Sequence, residues 1–239
     1  MEIDLKLNYD RDNFCFCYEE DKQYITQKIQ VKNLKYFIQE FSNYPINEKT
    51  LIHQDYIARK IFLQSCGFGK CCIGSPEENI AYNYLCESFY NRMKGKLKPI
   101  NFCYNFGLVP FFASCIDLVA FNEKSKQIEL YNFRLDDDNN QQDLKIYGKN
   151  IMHEFLDNKF TRDSLEIEFQ KKILQDIKGV SIGNCYIVYF DKKNKVFQFK
   201  RSQTFSPDIL SQLECYIANT NDSSENSVSD NTTTTINEN

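Results

Sequence analysis

The apolar run Phe14-Cys-Phe-Cys-Tyr18, in which Cys15-x-Cys17 alternates as a strand would, an acidic turn and then Gln23–Val31 predict a strand pair. Leu34, Phe37, Ile38 and Phe41 then recur at helical spacing, and Pro45 stops that helix. A second helix is predicted over 49–64. Ser75-Pro-Glu-Glu78 starts another: Ser75 caps, Pro76 takes the first position, and Glu78 completes a capping box. That helix is expected to run to about Met93, with Ile80, Tyr84 and Glu87 along one side. Strands follow near Pro99–Tyr104 and from Leu108 onward. A charged amphipathic helix is predicted over about 162–178, its apolar stripe formed by Leu165, Phe169, Ile173 and Ile177. On it, Glu166 and Glu168 fit a solvated face. Two strands, Asn184–Phe190 and Val196–Lys200, close the pattern, and an Asn/Ser/Thr-rich tail reads as disordered.

The stretch from Ala113 to Arg134 predicts a hairpin, with Asn122-Glu-Lys-Ser-Lys126 as its turn. Placing Phe121 opposite Ile128 sets Val119 opposite Leu130 and Asp117 opposite Asn132, all on one face, because alternate residues share a face. Arg134 lies beyond Asn132 on that face, diagonal to Asp117. The face thus runs from apolar to polar. On the hairpin alone an ordinary Asp117–Arg134 ion pair at a sheet margin is the better account, and the case for a functional site comes from elsewhere in the chain. In another register Asp117 and Glu129 come together, but the pairing above puts Glu129 on the opposite side.

Length and charge narrow the picture. A chain of 239 residues is long enough for a substantial core. No run approaches the roughly 18–20 apolar residues of a membrane span, and Met1-Glu-Ile-Asp-Leu-Lys6 does not resemble a secretory signal, so an intracellular, cytoplasmic or nuclear location is expected. Ten cysteines without a C-x-x-C pair, with only His53 and His153 to assist, fit reduced, mostly buried thiols better than disulfides or zinc. The net charge is -4; from Ala218 onward the tail carries Asp222, Glu225, Asp230 and Glu238 and no Lys or Arg, so the body is neutral. A neutral body permits a local basic groove but not strong, non-specific nucleic-acid affinity. Gly67-Phe-Gly-Lys70-Cys-Cys-Ile-Gly74 lacks the Ser/Thr after lysine and the earlier glycine that a phosphate loop needs.

Cys86–Asn91, Ser114–Val119, Glu129–Arg134 and Ser164–Phe169, in that order, resemble segments of the PD-(D/E)XK (restriction-endonuclease-like) nucleases of the type found in large DNA viruses. Cys86-Glu-Ser-Phe-Tyr-Asn91 resembles their Ile-Glu-x-Phe-Tyr-Asn helix end, Ser114-Cys-Ile-Asp-Leu-Val119 their Gly-x-Ile-Asp-Leu-Val strand, and Glu129-Leu-Tyr-Asn-Phe-Arg134 their Glu-Leu-Ile-Asp-Trp-Lys strand. Ser164-Leu-Glu-Ile-Glu-Phe169 is similar to the Ser-Leu-Gln-Leu helix that follows, and Tyr24-Ile-Thr26 and Lys35–Phe41 resemble the lead-in. The resemblance implies an α/β fold with a restriction-endonuclease-like core: a central mixed sheet flanked by helices, preceded by a strand pair and helices. It divides the chain into residues 1–74, a nuclease-like core over 75–217, and a tail over 218–239.

Such enzymes hold Mg²⁺ with carboxylates, and the metal activates water while a lysine assists. By resemblance Asp117 is the central metal ligand and Glu87 a helical carboxylate beside it. The departures fall on the chemistry. Asn132 stands where the second carboxylate belongs, and Arg134, which cannot readily give up a proton, where the lysine belongs. Glu166 replaces the helical Gln and is an alternative ligand; Gln170 stands where members often carry Tyr. The degenerate catalytic positions are therefore Asp117, Asn132, Arg134 and Glu166. The function expected is a nuclease-like protein whose metal-dependent phosphodiester hydrolysis is lost or attenuated. The alternatives are a non-catalytic protein-interaction module and a residual Mg²⁺-dependent nuclease. DNA, RNA or a protein is the expected partner, and a membrane is not.

Overall fold

The structure, a computed structural model, describes residues 8–10, 15–22, 25–43, 93–108, 112–136, 146–191 and 196–225. The helices expected over 49–64 and 75–93, the Gly67–Gly74 segment and, with one of these helices, Glu87 fall outside those residues, Met93 excepted.

Two sheets organise the described chain. The first is an antiparallel meander of β1 (Asn8–Asp10), β2 (Cys15–Lys22) and β3 (Ile25–Val31), in which the expected strand pair gains a short third member. After β3, Lys32 and Asn33 run beside Ala113, and Asn33 caps α1 (Leu34–Gln39) by accepting the Lys35 N–H.

The second sheet has the order β4-β5-β6-β7-β8, formed by Leu97–Leu108, Phe112–Asn122, Gln127–Asp136, Ile182–Asp191 and Val196–Arg201. It is mixed: β6 and β7 are parallel, and every other neighbouring pair is antiparallel. Parallel neighbours require a crossover. Here it contains a 3-10 turn (Asn150–Met152) and the 20-residue α2 (Lys159–Lys178). Asn158 caps α2 by accepting the Thr161 N–H, and Gly179, at φ 63°, ends it in the left-handed conformation that glycine adopts without cost. The fold is thus α/β, with helices flanking a mixed sheet. No helix among the described residues is long and apolar enough to cross a membrane.

Each side of the sheet has its own core. Leu130 and Ile187 pack with Leu34, Phe37, Phe112, Leu165, Phe169 and Ile173 in the larger one, whereas Tyr131, Phe133 and Val188 join Leu118 and Ala120 in the smaller. Helix α1 therefore shares a core with the segment expected to form residues 75–217. A third helix, α3 (Pro207–Glu225), was not expected. Its start, Ser206-Pro-Asp, repeats the logic of Ser75-Pro-Glu, and Leu213 and Ile217 are buried in the larger core. Residues 219–225 are consequently helical, so the boundary expected at 218 falls inside α3.

The expected amphipathic character of α2 is only partly realised. Leu165, Phe169 and Ile173 are buried, but Ile177 is 43% exposed. The expectation that Glu166 and Glu168 face solvent is corrected: they are 4% and 8% exposed. The helix is enclosed on more than one side. Glu168 accepts the Ser202 hydroxyl just beyond β8, where Ser202 also bonds the Cys185 carbonyl of β7, and the Ser164 hydroxyl accepts the Gln203 N–H, so the flank toward the β7–β8 side is covered as well.

Candidate functional site

The site grows out of a defect in the sheet. Phe121 pairs with Ile128 and Val119 with Leu130, as expected, but the β5–β6 ladder ends at Leu118 and Tyr131. Asp117 and Asn132 are therefore linked by side chains instead of as ladder partners. The Asp117 N–H donates to Asn132 Oδ1 at 3.3 Å, and Asp117 Oδ2 accepts the Phe133 N–H at 2.7 Å. Side chains stand in for the missing strand bonds, because buried backbone groups need partners. Gln170 of α2 extends the repair: its Nε2 donates to Ser114 Oγ at 2.8 Å and the Cys115 carbonyl at 3.3 Å, while its Oε1 accepts Asn132 Nδ2 at 2.9 Å.

Arg134 lies at the centre, 3% exposed. Its Nε donates to Asp163 Oδ1 at 3.2 Å and one terminal nitrogen to Glu166 Oε2 at 2.8 Å. The other donates to the Phe133 carbonyl at 3.0 Å and lies 3.6 Å from Asp117 Oδ2. A planar guanidinium with five donors suits three carboxylates arriving from two elements. Asp163, Glu166 and Gln170 follow one another at spacings of three and four, so α2 presents them along one stripe. Lys35 of α1 adds a second cation, its Nζ 3.4 Å from Glu166 Oε2, and the Tyr189 hydroxyl donates to Asp163 Oδ2 at 2.8 Å.

Of the residues singled out in the sequence, Asp117, Asn132, Arg134 and Glu166 come together; Glu87 lies outside the described residues. Asp163, Gln170 and Lys35 complete the cluster. Asp163 had a signal, since it sits one helical turn before Glu166. Lys35 had none, because nothing in the spacing of α1 links it to β6. Glu129 takes no part. It pairs opposite Ala120 and binds the Tyr131 hydroxyl at 2.6 Å and Asn122 Nδ2 at 2.9 Å. Burial, and then that hydrogen bond to Glu129, push the Tyr131 hydroxyl well above its ordinary pKa.

As arranged, these residues do not fit Mg²⁺. The Asp117 oxygen facing the cluster already accepts an N–H and faces a guanidinium, and Glu166 Oε2 meets both Arg134 and Lys35. Asn132 turns its carbonyl to the Asp117 N–H. Among the described residues no group of three or more His, Cys, Asp or Glu is placed to hold a metal. Three acids and two cations nevertheless share one buried place. Removing charges from water costs several kcal/mol per ion, which mutual attraction offsets only where the geometry is good and further hydrogen bonds satisfy the remaining atoms. The chain matches no model of a known protein family and no curated protein.

Proposed function

We propose that this chain is a restriction-endonuclease-like protein whose metal-dependent phosphodiester hydrolysis has been lost, leaving a scaffold that works by binding. The observation that carries the reading is the position of Arg134. Its guanidinium holds Asp117, Asp163 and Glu166 together, the work a divalent cation performs in a nuclease of this kind. A fixed organic cation neutralises the acids but cannot supply an activated water. The parallel β6–α2–β7 crossover beside the Asp117 hairpin supports the same frame, since it brings Asp117, Asn132 and Glu166 to one place in the order the resemblance implies.

A second reading, residual hydrolysis, has one observation in its favour: Lys35 brings an amine from another helix to within 3.4 Å of Glu166, beside the position where the motif lysine is missing. One assay separates the two. Purified chain incubated with Mg²⁺ or Mn²⁺ and end-labelled DNA or RNA is expected to give no metal-dependent cleavage. Turnover abolished by Asp117→Ala and by Lys35→Met overturns the first reading in favour of the second.

A further inference from the structure

We propose that the hairpin end of the five-stranded sheet, away from the Arg134 cluster, is a docking surface for an acidic peptide segment carrying an apolar anchor residue. A groove of about 540 Å³ opens there, floored by Ile100, Phe121 and Ile128 and bordered by Lys98, Lys126, Glu123, Gln127 and Ser181. Its volume falls within the roughly 300–1,000 Å³ of ordinary binding clefts.

Two departures from regular backbone deliver side chains to this groove. The β4–β5 register shifts between Pro99 and Asn101, so Ile100 is the extra residue of a bulge and stands 56% exposed. Bulges re-aim side chains in this manner. At the hairpin turn Lys126 adopts φ 57°, a conformation glycine or asparagine takes more cheaply. An exposed isoleucine and a lysine in a glycine-like position are unfavourable choices for folding alone.

Charge identifies the occupant. Lys94, Lys96, Lys98, Lys124 and Lys126 are all exposed at this end, where the Glu123 N–H donates to the Lys96 carbonyl and Lys98 pairs opposite Phe121. Glu123 pairs with Lys126 at 3.3 Å, while no carboxylate among the described residues reaches the other four. Among the described residues, five exposed lysines against the single exposed carboxylate of Glu123 thus leave this end of a chain of net charge -4 positively charged, with Lys98 and Lys126 at the groove itself. That combination matches carboxylates flanking an apolar side chain, with lysines steering the approach and the groove burying the anchor. A nucleic-acid backbone would use the lysines but leave the apolar floor empty.

The test is selection from a displayed library of random 12-residue peptides on the full-length chain, followed by fluorescence anisotropy with the enriched peptides. Enrichment of sequences combining Asp or Glu with Leu, Ile or Phe is expected. Their affinity should fall at least tenfold with Ile100→Asp and with the pair Lys98→Glu and Lys126→Glu. These positions are exposed, so the variants should keep the wild-type circular dichroism and melting temperature. No enrichment, or peptides that bind the variants as well as the wild type, overturns the proposal. So does tighter binding of single-stranded DNA or phosphatidylserine vesicles that is lost with the lysine pair but indifferent to Ile100→Asp.

Discussion

Replacing Arg134 with alanine is expected to destabilise the chain by about 3–5 kcal/mol, the cost of leaving buried charges without their partner. Asp117, Asp163 and Glu166, each less than a tenth exposed, lose the guanidinium that holds all three, while Lys35 stays beside Glu166. Arg134→Lys should recover part of the loss, since a point-like ammonium cannot span three carboxylates as a planar fork does. Removing the charges together, with Lys35→Met, Asp117→Asn, Asp163→Asn, Glu166→Gln and Arg134→Met, should cost less than Arg134→Ala alone. Urea unfolding with an unchanged slope measures each change. A loss under about 1 kcal/mol for Arg134→Ala, the range of exposed ion pairs, would show that the cluster is solvated.

Phe169→Ala should be comparably damaging for a different reason. Phe169 is fully buried beside Phe112, with ring centroids 5.6 Å apart, where α2 packs on β5. Truncation removes apolar contact and leaves a cavity that a helix enclosed on several sides cannot collapse to fill, a loss of about 3–5 kcal/mol. Phe169→Leu should lose much less, because most of the volume remains. A truncation costing under about 1 kcal/mol would mean that α2 is not clamped to the sheet, and the geometry around Arg134 would lose its support.

How much of this was legible in the sequence depends on the kind of signal. The β5–β6 register followed from two apolar pairs, since a one-residue slip would have turned Val119 and Phe121 away from Leu130 and Ile128. The end of the ladder at Leu118 was not legible: a side chain replacing a backbone partner leaves no periodic trace. Asp117, Asn132, Arg134 and Glu166, singled out in the sequence, lie together in the structure. Helical periodicity nevertheless assigned Glu166 and Glu168 to solvent, because it assumes one wet face, whereas α2 is covered by the sheet and by Ser202 and Gln203. The start of α3 was written in Ser206-Pro-Asp208, but the strands before it and the polar tail after it drew the boundary too early. Lys35 reaches Glu166 from a helix 131 residues earlier in the chain, a contact only the tertiary fold reveals.

The most direct measurement is titration of the full-length wild-type chain with Mn²⁺, read by electron paramagnetic resonance and calorimetry. If the guanidinium of Arg134 is the resident cation, no saturable site should fill below about 1 mM free metal, a ceiling of roughly −4 kcal/mol. Stoichiometric binding well below that concentration, abolished by Asp117→Asn, would contradict it: the acids would then prefer a metal to their own arginine.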